Sequence, residues 1–429
     1  MTRAASAFGV IRQQFGMEIG KFEGIEEPLA RVVGRTLILK AGRDYTCGAI
    51  DQGEKPSVIS AILKLHSTEI FRDIVNDTMD ILGGAGITQG PRNITASPYK
   101  AAPIGITVEG ANILTRTLII FGQGALRCHP FAYNEVLAAE TNNVKLFDRA
   151  FFGHIHHMIR TYINVVLRTW TKGLIVVNYG GFLSPYKRKL VWISSLFALL
   201  ADVSMIYFGG ALKAKQKITG RLGDILSNLY LATAVMAYYE SLTEHKKELQ
   251  PVVKWALDDC FYNIQVAVVG FFENFTWFTR FITAPWFRLF TIGKPPSDAL
   301  GQTVARLVQT NPTVREFLTE AIHVPSELKD GLSKYDKTYQ QILAAQPAFK
   351  KVKAAIRSRQ LPKKPIMQLL DQAMQSAIIS AQEYQTIKDA EAARLDAIQV
   401  DAFTNEDYLS NSLNDNNEDK ADVVSQSTV

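Results

Sequence analysis

Residues 80–124 read DILGGAGITQGPRNITASPYKAAPIGITVEGANILTRTLIIFGQG, and this stretch separates two helical patterns. Glycine commonly follows the last turn of a helix because it adopts the left-handed conformation without steric cost. The pair Gly83-Gly84 is therefore predicted to end a helix that begins near Pro56, and a second helix is predicted after Gly110. The apolar residues that form the first pattern are Val58, Ile59, Ile62, Leu63, Ile70, Phe71, Ile74, Val75 and Met79.

The remainder of the chain also shows helical patterns, over residues 131–170, 220–243 and 313–400. We find no strand pattern and no internal repeat. The 429 residues are 47% apolar and 21% charged, which suits a soluble globular protein of two to three domains. The fold class is therefore predicted to be all-α.

Residues 190–212, LVWISSLFALLADVSMIYFGGAL, are apolar and long enough to cross a lipid bilayer. Two features instead favour a helix that is buried on most sides within a bundle. Asp202 lies inside the segment, where a charge is costly in lipid. The sequence also continues directly into a basic amphipathic pattern from Lys213 to Arg221, which we expect to extend the same helix.

An aromatic cluster with interleaved arginines occupies residues 261–292. Most such clusters form protein core. Aromatic residues beside arginine also suit the headgroup region of a membrane, so a peripheral membrane patch is the second interpretation. The members are Phe261, Phe271, Phe272, Phe275, Trp277, Phe278, Phe281, Trp286, Phe287, Phe290, Arg280 and Arg288.

The net charge of +6 is unevenly distributed along the chain. From Asp401 onward seven acidic residues face Lys420 alone, so residues 1–400 carry +12. The basic residues are dispersed and no nucleic-acid-binding motif accompanies them, so nucleic acid is not an expected partner. From about Thr404 the chain is rich in Asn, Asp and Ser, and a disordered acidic tail is predicted over 404–429.

The cellular location is predicted from the cysteines and the first residues. Cys47, Cys128 and Cys260 are far apart and form no disulfide framework, which favours a reducing compartment. The opening MTRAASAFGV has no apolar core of signal-peptide length. We therefore expect a cytoplasmic protein, with peripheral association at the inner face of the plasma membrane as an open alternative.

Three short segments contain candidate functional residues: RQQFG at 12–16, DILGGAG at 80–86 and VEGAN at 108–112. Each has an ordinary structural explanation when it is taken alone. An arginine before Phe-Gly is commonly a surface residue, and Gly-Gly after a helix is commonly its cap. A glutamate just before a helix often faces the positive end of the helix dipole.

In this order and spacing the three segments resemble the acyl-CoA dehydrogenase family. Its members have an R-x-x-F-G segment, then a helix ending in I-L-G-G-x-G, then an E-G followed by a helix with an arginine, here Arg116. Further segments resemble the large bacterial members that degrade fatty acids, so the resemblance covers nearly the whole chain. They are GKFEGIEEPLAR (20–31), ITVEGANILTR (106–116), IIFGQGALRCHP (119–130), RLGDILSNLYLATAV (221–235) and IQVDAF (398–403).

The resemblance implies FAD-dependent α,β-dehydrogenation of medium- and long-chain fatty acyl-CoA to trans-2-enoyl-CoA, the first step of fatty acid β-oxidation. Electron-transfer flavoprotein is the implied electron acceptor. Removing the Cα proton requires a positioned general base, and Glu109 takes that role. A glutamate in an apolar acyl slot would have a raised pKa, which makes it a stronger base. Gly110 is expected to bind substrate, because the missing side chain lets the thioester come close.

The family also implies which residues contact FAD. The R-x-x-F-G residues are expected to reach the pyrophosphate and adenosine side of FAD in a neighbouring subunit, so a homo-oligomer is implied. The glycines after the first helix allow close approach to the adenosine. The implied FAD contacts are Arg12, Gln13, Gln14, Asp80, Ile81, Leu82, Gly83, Gly84, Ala111, Asn112 and Ile113.

A metal site is not predicted. His154, His156 and His157 are close in sequence, and the first and third would share a helix face. The sequence places no carboxylate beside them at ligand spacing, so these histidines are expected to bind no metal.

The resemblance assigns residues 1–135 to the C-terminal catalytic helical domain and 136–403 to the helical domain that large bacterial enzymes append. The family's N-terminal helical and middle β domains fall outside these ranges. We therefore expect the chain alone to be helical but inactive, and to associate with itself or with the missing N-terminal half. Two alternatives stay open: a non-catalytic helical scaffold or membrane-associated remnant, and an acyl-CoA oxidase.

Overall fold

A computed structural model describes residues 1–124, 129–176, 180–289, 291–325 and 331–407. Helix accounts for 77% of the chain and strand for 1%, so the all-α prediction is confirmed. The elements are α1 (Thr2–Ile11), β1 (Gln13–Gln14), β2 (Met17–Glu18), α2 (Glu23–Asp51), α3 (Ser57–Leu82), α4 (Gly84–Ile87), α5 (Ala96–Thr107), α6 (Asn112–Leu114), a π-helix (Thr115–Gln123), α7 (Ala132–Glu140), α8 (Val144–Trp170), α9 (Ser184–Phe208), α10 (Gln216–Ser241), α11 (Gln250–Phe275), α12 (Ala284–Leu289), α13 (Asp298–Thr310), α14 (Pro312–Leu318), α15 (Leu332–Arg357), α16 (Ile366–Gln375) and α17 (Ala381–Ala397).

The helices pack into two compact units. The first contains Met1–Ile81 and Ser97–His323, and the second contains Leu82–Ala96 and Val324–Val429. Within the first unit α2 packs against α10, α11 and α13, which lie beyond residue 135. Packing alone therefore does not mark a boundary at residue 135, and the predicted division into 1–135 and 136–403 stays a prediction.

Helix α2 reaches the centre of the first unit because it carries a glycine where a large ring must fit. A Cβ atom added to Gly34 would lie 1.9 Å from Cε3 of Trp255 on α11. Trp255 is only 4% exposed. Any side chain at position 34 would therefore push the two helices apart, and close packing at this point depends on glycine.

The N-terminal helix α1 is buried along its whole length and is anchored by an arginine from α14. Arg315 is 1% exposed, and its guanidinium donates to the Ser6 hydroxyl at 3.1 Å and to the Arg3 carbonyl at 2.7 Å. Charge-assisted bonds of this kind offset the cost of burying the charge. They fix the helix from which the Arg12 segment projects.

The apolar helix α9 packs against α8 and α10. The segment Ser184–Ala214 is long and apolar enough to cross a membrane, and 39% of its most apolar window is buried. Taken together, the bent pair Ala96–Thr107 and Asn112–Gly122 also passes this test, with a 47° bend. Asp202 on α9 is 1% exposed. Whether any of these segments contacts lipid stays a prediction.

The expectation that a basic helix extends α9 is wrong. Gly209 has a φ of +50°, a conformation that suits glycine, and it ends α9 at Phe208. A 3₁₀ turn over Gly209–Ala214 follows, and Lys215 leaves the helical region before α10 begins. Helix α10 then packs against α9 instead of extending it.

The aromatic cluster divides into a buried and an exposed part. Phe261, Phe271 and Phe287 are buried, as the core interpretation expects. Phe290 lies outside the described residues. The exposed members are Trp277 (77%), Phe278 (52%) and Phe281 (69%), with Leu289 (79%) beside them in sequence.

In the second unit α15 packs against α17, which begins with a capping box formed by Ser380 and Glu383. Asp401 holds the turn after α4, where its carboxylate accepts from the backbone N–H of Arg92 at 2.9 Å. The predicted disordered tail falls mostly on residues 408–429, which lie outside the described residues. Its first residues form a turn in which Thr404 and Asp407 hydrogen-bond each other.

Candidate functional site

Glu109 lies in the short loop between α5 and α6, and its side chain is exposed. Its φ is +53° and that of Gly110 is +96°, so two consecutive residues adopt the left-handed region. Glycine adopts it freely, whereas glutamate does so at a cost of about 1–3 kcal/mol unless its surroundings impose it. The described residues do not bury the carboxyl group, so the predicted apolar slot is not formed by this part of the chain.

A lysine from α3 imposes the conformation of this loop. Lys64 Nζ donates to the carbonyl oxygen of Gly110 and to Oδ1 of Asn112, both at 2.7 Å. The amide nitrogen of Asn112 donates to Thr68 Oγ1 and Glu69 Oε1, both at 2.9 Å. One cation thus bridges two residues that flank Ala111, and the loop is fixed to α3.

These hydrogen bonds help to decide which of the predicted FAD contacts that follow Glu109 in the sequence have accessible side chains. Asn112 is 3% exposed and its amide group is used on both sides, so its side chain presents no free group to a flavin. Ala111 is exposed, and Ile113 is 81% exposed. Of the three, only Ala111 and Ile113 therefore present accessible side chains.

The helix that follows Glu109 continues as a π-helix, a form often found at functional sites. Arg116 on this helix donates to Asp224 of α10 through Nε at 2.7 Å, and this pairing raises the pKa of the guanidinium. A Cβ atom added to Gly223 would lie 2.8 Å from the carbonyl oxygen of Arg116. Residues 221–224 (RLGD) on α10 therefore form the surface against which the π-helix packs.

The Gly83-Gly84 pair follows α3 as predicted. Gly83 has a φ of +59°, both glycines are exposed, and an added Cβ would meet no atom within 4 Å. Their backbone is thus open to a ligand. Asp80 is exposed as well, whereas Ile81 and Leu82 are buried, so their side chains belong to the core.

The RQQFG segment forms a hairpin that the sequence did not predict. Gln13 pairs with Glu18, and Gln14 with Met17. The two residues of the turn, Phe15 and Gly16, both have positive φ, as in the tight turns that match the twist of paired strands. The hairpin presents Phe15, which is 94% exposed, together with the polar side chains of residues 12–14. In the described part of the chain no hydrogen bond joins this hairpin to the Glu109 loop.

Comparison with known proteins accounts for these segments. A family model described as "Acyl-CoA dehydrogenase, C-terminal, bacterial type" matches residues 126–403, and one described as "Acyl-CoA dehydrogenase, C-terminal domain" matches residues 4–121. The chain belongs to the bacterial-type acyl-CoA dehydrogenase C-terminal family. The first match covers well over half of the chain, and the second includes every residue from Arg12 to Ile113 that was predicted to act.

Two solved structures are similar to this chain. An acyl-CoA dehydrogenase complexed with FAD from Bacillus anthracis is 18% identical with a TM-score of 0.55, and the match covers 72% of this chain and 52% of that one. An acyl-CoA oxidase-1 from Caenorhabditis elegans complexed with FAD and ATP is 12% identical with a TM-score of 0.44, covering 74% and 48%. The chain spans about half the length of these proteins, and the first match shows a shared fold.

The structure also brings together a cluster that the sequence analysis missed. His154 lies beside Glu135, with His154 Nδ1 2.8 Å from Glu135 Oε1, and near Asp202 of α9. His129 Nε2 lies 2.9 Å from Asp202 Oδ1. Carboxylates are therefore present beside the histidines, although they are distant in sequence. A charged residue inside an apolar helix was the one signal in the sequence that could have pointed to Asp202.

The two hydrogen bonds of Lys64, to the Gly110 carbonyl and to Asn112 Oδ1, form a clamp on the Glu109 loop. This clamp predicts a specific loss of stability when Asn112 is replaced. In Asn112→Leu, the partly buried Lys64 Nζ loses one of its two hydrogen-bond acceptors. A buried donor without an acceptor lowers the stability of the fold by about 1–3 kcal/mol. Urea denaturation should show a free energy of unfolding lower by that amount. The control Asn76→Leu, at an exposed position on α3, should change it by less than about 0.5 kcal/mol. Equal effects of the two substitutions would contradict the clamp.

Proposed function

We propose that Glu109 is the general base of an FAD-dependent dehydrogenation that converts medium- and long-chain fatty acyl-CoA to trans-2-enoyl-CoA. The observation that carries the proposal is the V-E-G-A-N loop, which α3 holds rigidly at the start of a helix within a chain of the acyl-CoA dehydrogenase family. A general base must be positioned accurately, and the Lys64 hydrogen bonds fix the loop from which the Glu109 side chain projects.

The proposed chemistry is the removal of two hydrogens from the acyl chain. The carboxylate of Glu109 takes the Cα proton, the electron pair of the broken bond forms the Cα=Cβ double bond, and the Cβ hydrogen leaves as hydride. FAD, when bound, accepts the hydride. A donor at the thioester oxygen stabilises the negative charge that develops there, and the backbone N–H of Glu109 is the proposed donor.

Because the Glu109 side chain is exposed, the proposed reaction needs a further group that covers its carboxylate. A carboxylate in water is a weak base for a carbon acid. Once acyl-CoA, flavin or additional protein covers the loop, the carboxylate would lose its water and become a stronger base. At Gly110 an added Cβ would contact Thr115 Oγ1 at 3.5 Å, and the φ of +96° favours glycine at this position.

The chain also offers surfaces that fit the polar half of FAD. The Gly83-Gly84 turn has an open backbone, which suits close contact with the adenosine. The hairpin presents one cation, Arg12, and the amides of Gln13 and Gln14, which suit a pyrophosphate. We propose that each of these two surfaces contacts FAD, and that the hairpin does so in a neighbouring subunit of an oligomer. The proposed electron acceptor is electron-transfer flavoprotein.

Glu109→Gln tests the base directly. The neutral amide keeps the size of the side chain but cannot accept the proton, so turnover of palmitoyl-CoA should fall by about 10²-fold or more. Turnover is measured on the protein purified from its own cells with the subunits that accompany it. Flavin content and the helical circular dichroism spectrum should not change.

Glu140→Gln, at an exposed position on α7, is the matched control and should keep full turnover. Near-normal turnover of Glu109→Gln would remove Glu109 from the reaction. If peroxide forms in proportion to enoyl-CoA, the electron acceptor is oxygen and not electron-transfer flavoprotein. That result would leave the assignment of Glu109 as the base unchanged.

We further propose a cytoplasmic location with peripheral contact at the inner face of the plasma membrane. The exposed residues Trp277, Phe278, Phe281 and Leu289 support it, because aromatic side chains favour the headgroup region. Arg280 lies over the ring of Phe281 at 5.7 Å, where it can meet anionic lipid.

The double variant Trp277→Ser/Phe281→Ser should lose co-sedimentation with vesicles that contain phosphatidylglycerol, because two large apolar anchors are removed. Tyr99→Ser, at a half-exposed position on α5, is the control and should bind as the wild type does. Unchanged binding of the double variant would exclude this surface, and resistance to carbonate extraction would indicate an integral protein instead.

A further inference from the structure

A buried cluster of two histidines and two carboxylates joins three helices of the first unit. Glu135 lies on α7, His154 on α8 and Asp202 on α9, and His129 precedes α7. Nitrogen atoms of the two histidines and a carboxylate oxygen of Asp202 all lie within 4.8 Å of one another. Asp202 is 1% exposed, His129 8% and His154 13%. Neither the acyl-CoA reaction nor the proposed FAD contacts involve this cluster.

Hydrogen bonds fix the protonation of His129. Its Nδ1 accepts the backbone N–H groups of Phe131 at 3.2 Å and Ala132 at 2.9 Å, at the start of α7. An accepting nitrogen carries no hydrogen, so Nε2 carries it and donates to Oδ1 of Asp202 at 2.9 Å. His129 therefore caps α7 and holds one oxygen of Asp202.

His154 has the opposite arrangement. Its Nδ1 faces Glu135 Oε1 at 2.8 Å, and because an ionised carboxylate only accepts, Nδ1 is the donor. In the neutral ring Nε2 then carries a lone pair, and it lies 3.8 Å from Oδ1 of Asp202. Within the described residues, His154 Nε2 and Asp202 Oδ2 are buried atoms without a hydrogen-bond partner. A lone pair on His154 Nε2 so close to the Asp202 carboxylate is unfavourable unless a proton or a metal ion lies between them.

The carboxylates of the cluster also favour a bound cation. Over residues 1–124, 129–176, 180–289, 291–325 and 331–407, no lysine or arginine forms an ion pair with Glu135 or Asp202. Two carboxylates therefore meet in a cluster in which hydrogen bonds hold His129 neutral. Buried charges in proteins are normally paired or coordinate a metal.

We propose that His154 Nε2 and the carboxylate of Asp202 bind one divalent transition-metal ion, with Zn²⁺ as the fitting example. Zinc lies at about 2.0–2.2 Å from histidine nitrogen and carboxylate oxygen, so one ion spans a gap of 3.8 Å between such atoms. Glu135 and His129 are the outer partners. Glu135 fixes the ring of His154, as carboxylates do behind metal-binding histidines, and His129 fixes the carboxylate of Asp202. Solvent completes the coordination.

The test is a Zn²⁺ titration of the full chain after chelator treatment, with a fluorescent zinc chelator as competitor. Wild-type protein should bind one equivalent tightly. His154→Ala should lose that equivalent, and Glu135→Gln, which removes only the outer carboxylate, should bind 10- to 100-fold more weakly. His156→Ala is the matched control, because His156 is exposed on the same helix, and it should bind as the wild type does. Circular dichroism verifies that each variant is folded.

Two results would overturn the proposal. If wild-type protein binds no tight equivalent, a proton on His154 rather than a metal neutralises the cluster. If His154→Ala binds as tightly as the wild type, the ion is held elsewhere on the chain. Co²⁺ provides a second readout: its visible absorption should report nitrogen and oxygen ligands in the wild type and in His156→Ala, and should be lost in His154→Ala.

Discussion

The candidate site depends on one interaction, the bridge from Lys64 Nζ to the Gly110 carbonyl and to Asn112 Oδ1. A lysine ammonium has three donors, and here two of them point at oxygens on either side of Ala111. The bonds fix a loop in which Glu109 adopts a conformation that glutamate does not favour by itself. Helix α3 therefore positions the loop that carries the proposed base.

Support from the other side comes from α10. The π-helix after Glu109 rests on Gly223 and is tied to Asp224 through Arg116. Helix α10 in turn packs against α2 and α11, where Gly34 accepts the ring of Trp255. The Glu109 loop is thus connected to the centre of the first unit through close helix contacts at Gly223 and Gly34, where a side chain would not fit. This explains why positions 34 and 223 carry glycine, although neither glycine touches a ligand in the proposed reaction.

Much of this could be predicted from the sequence, because the signals are local. The end of α3 at a glycine pair and the helix after Gly110 follow from backbone preferences of single residues. The contacts that define the sites are not local. Lys64 precedes Gly110 by 46 residues, and a lone lysine in an amphipathic helix is ordinarily solvated. Asp202 follows His129 by 73 residues, so no spacing rule could join them. The end of α9 at Gly209 was missed because the hydropathy of the segment continues past it.

The central claim is that Glu109 removes the Cα proton of a bound acyl-CoA, and proton exchange tests it most directly. Palmitoyl-CoA is incubated in D₂O with the protein purified from its own cells, and deuterium at Cα is measured by mass spectrometry. Exchange reports proton abstraction separately from hydride transfer. The account predicts Cα exchange with the wild type and its loss in Glu109→Gln, with flavin content unchanged. Equal Cα exchange by the two proteins would show that another group is the base.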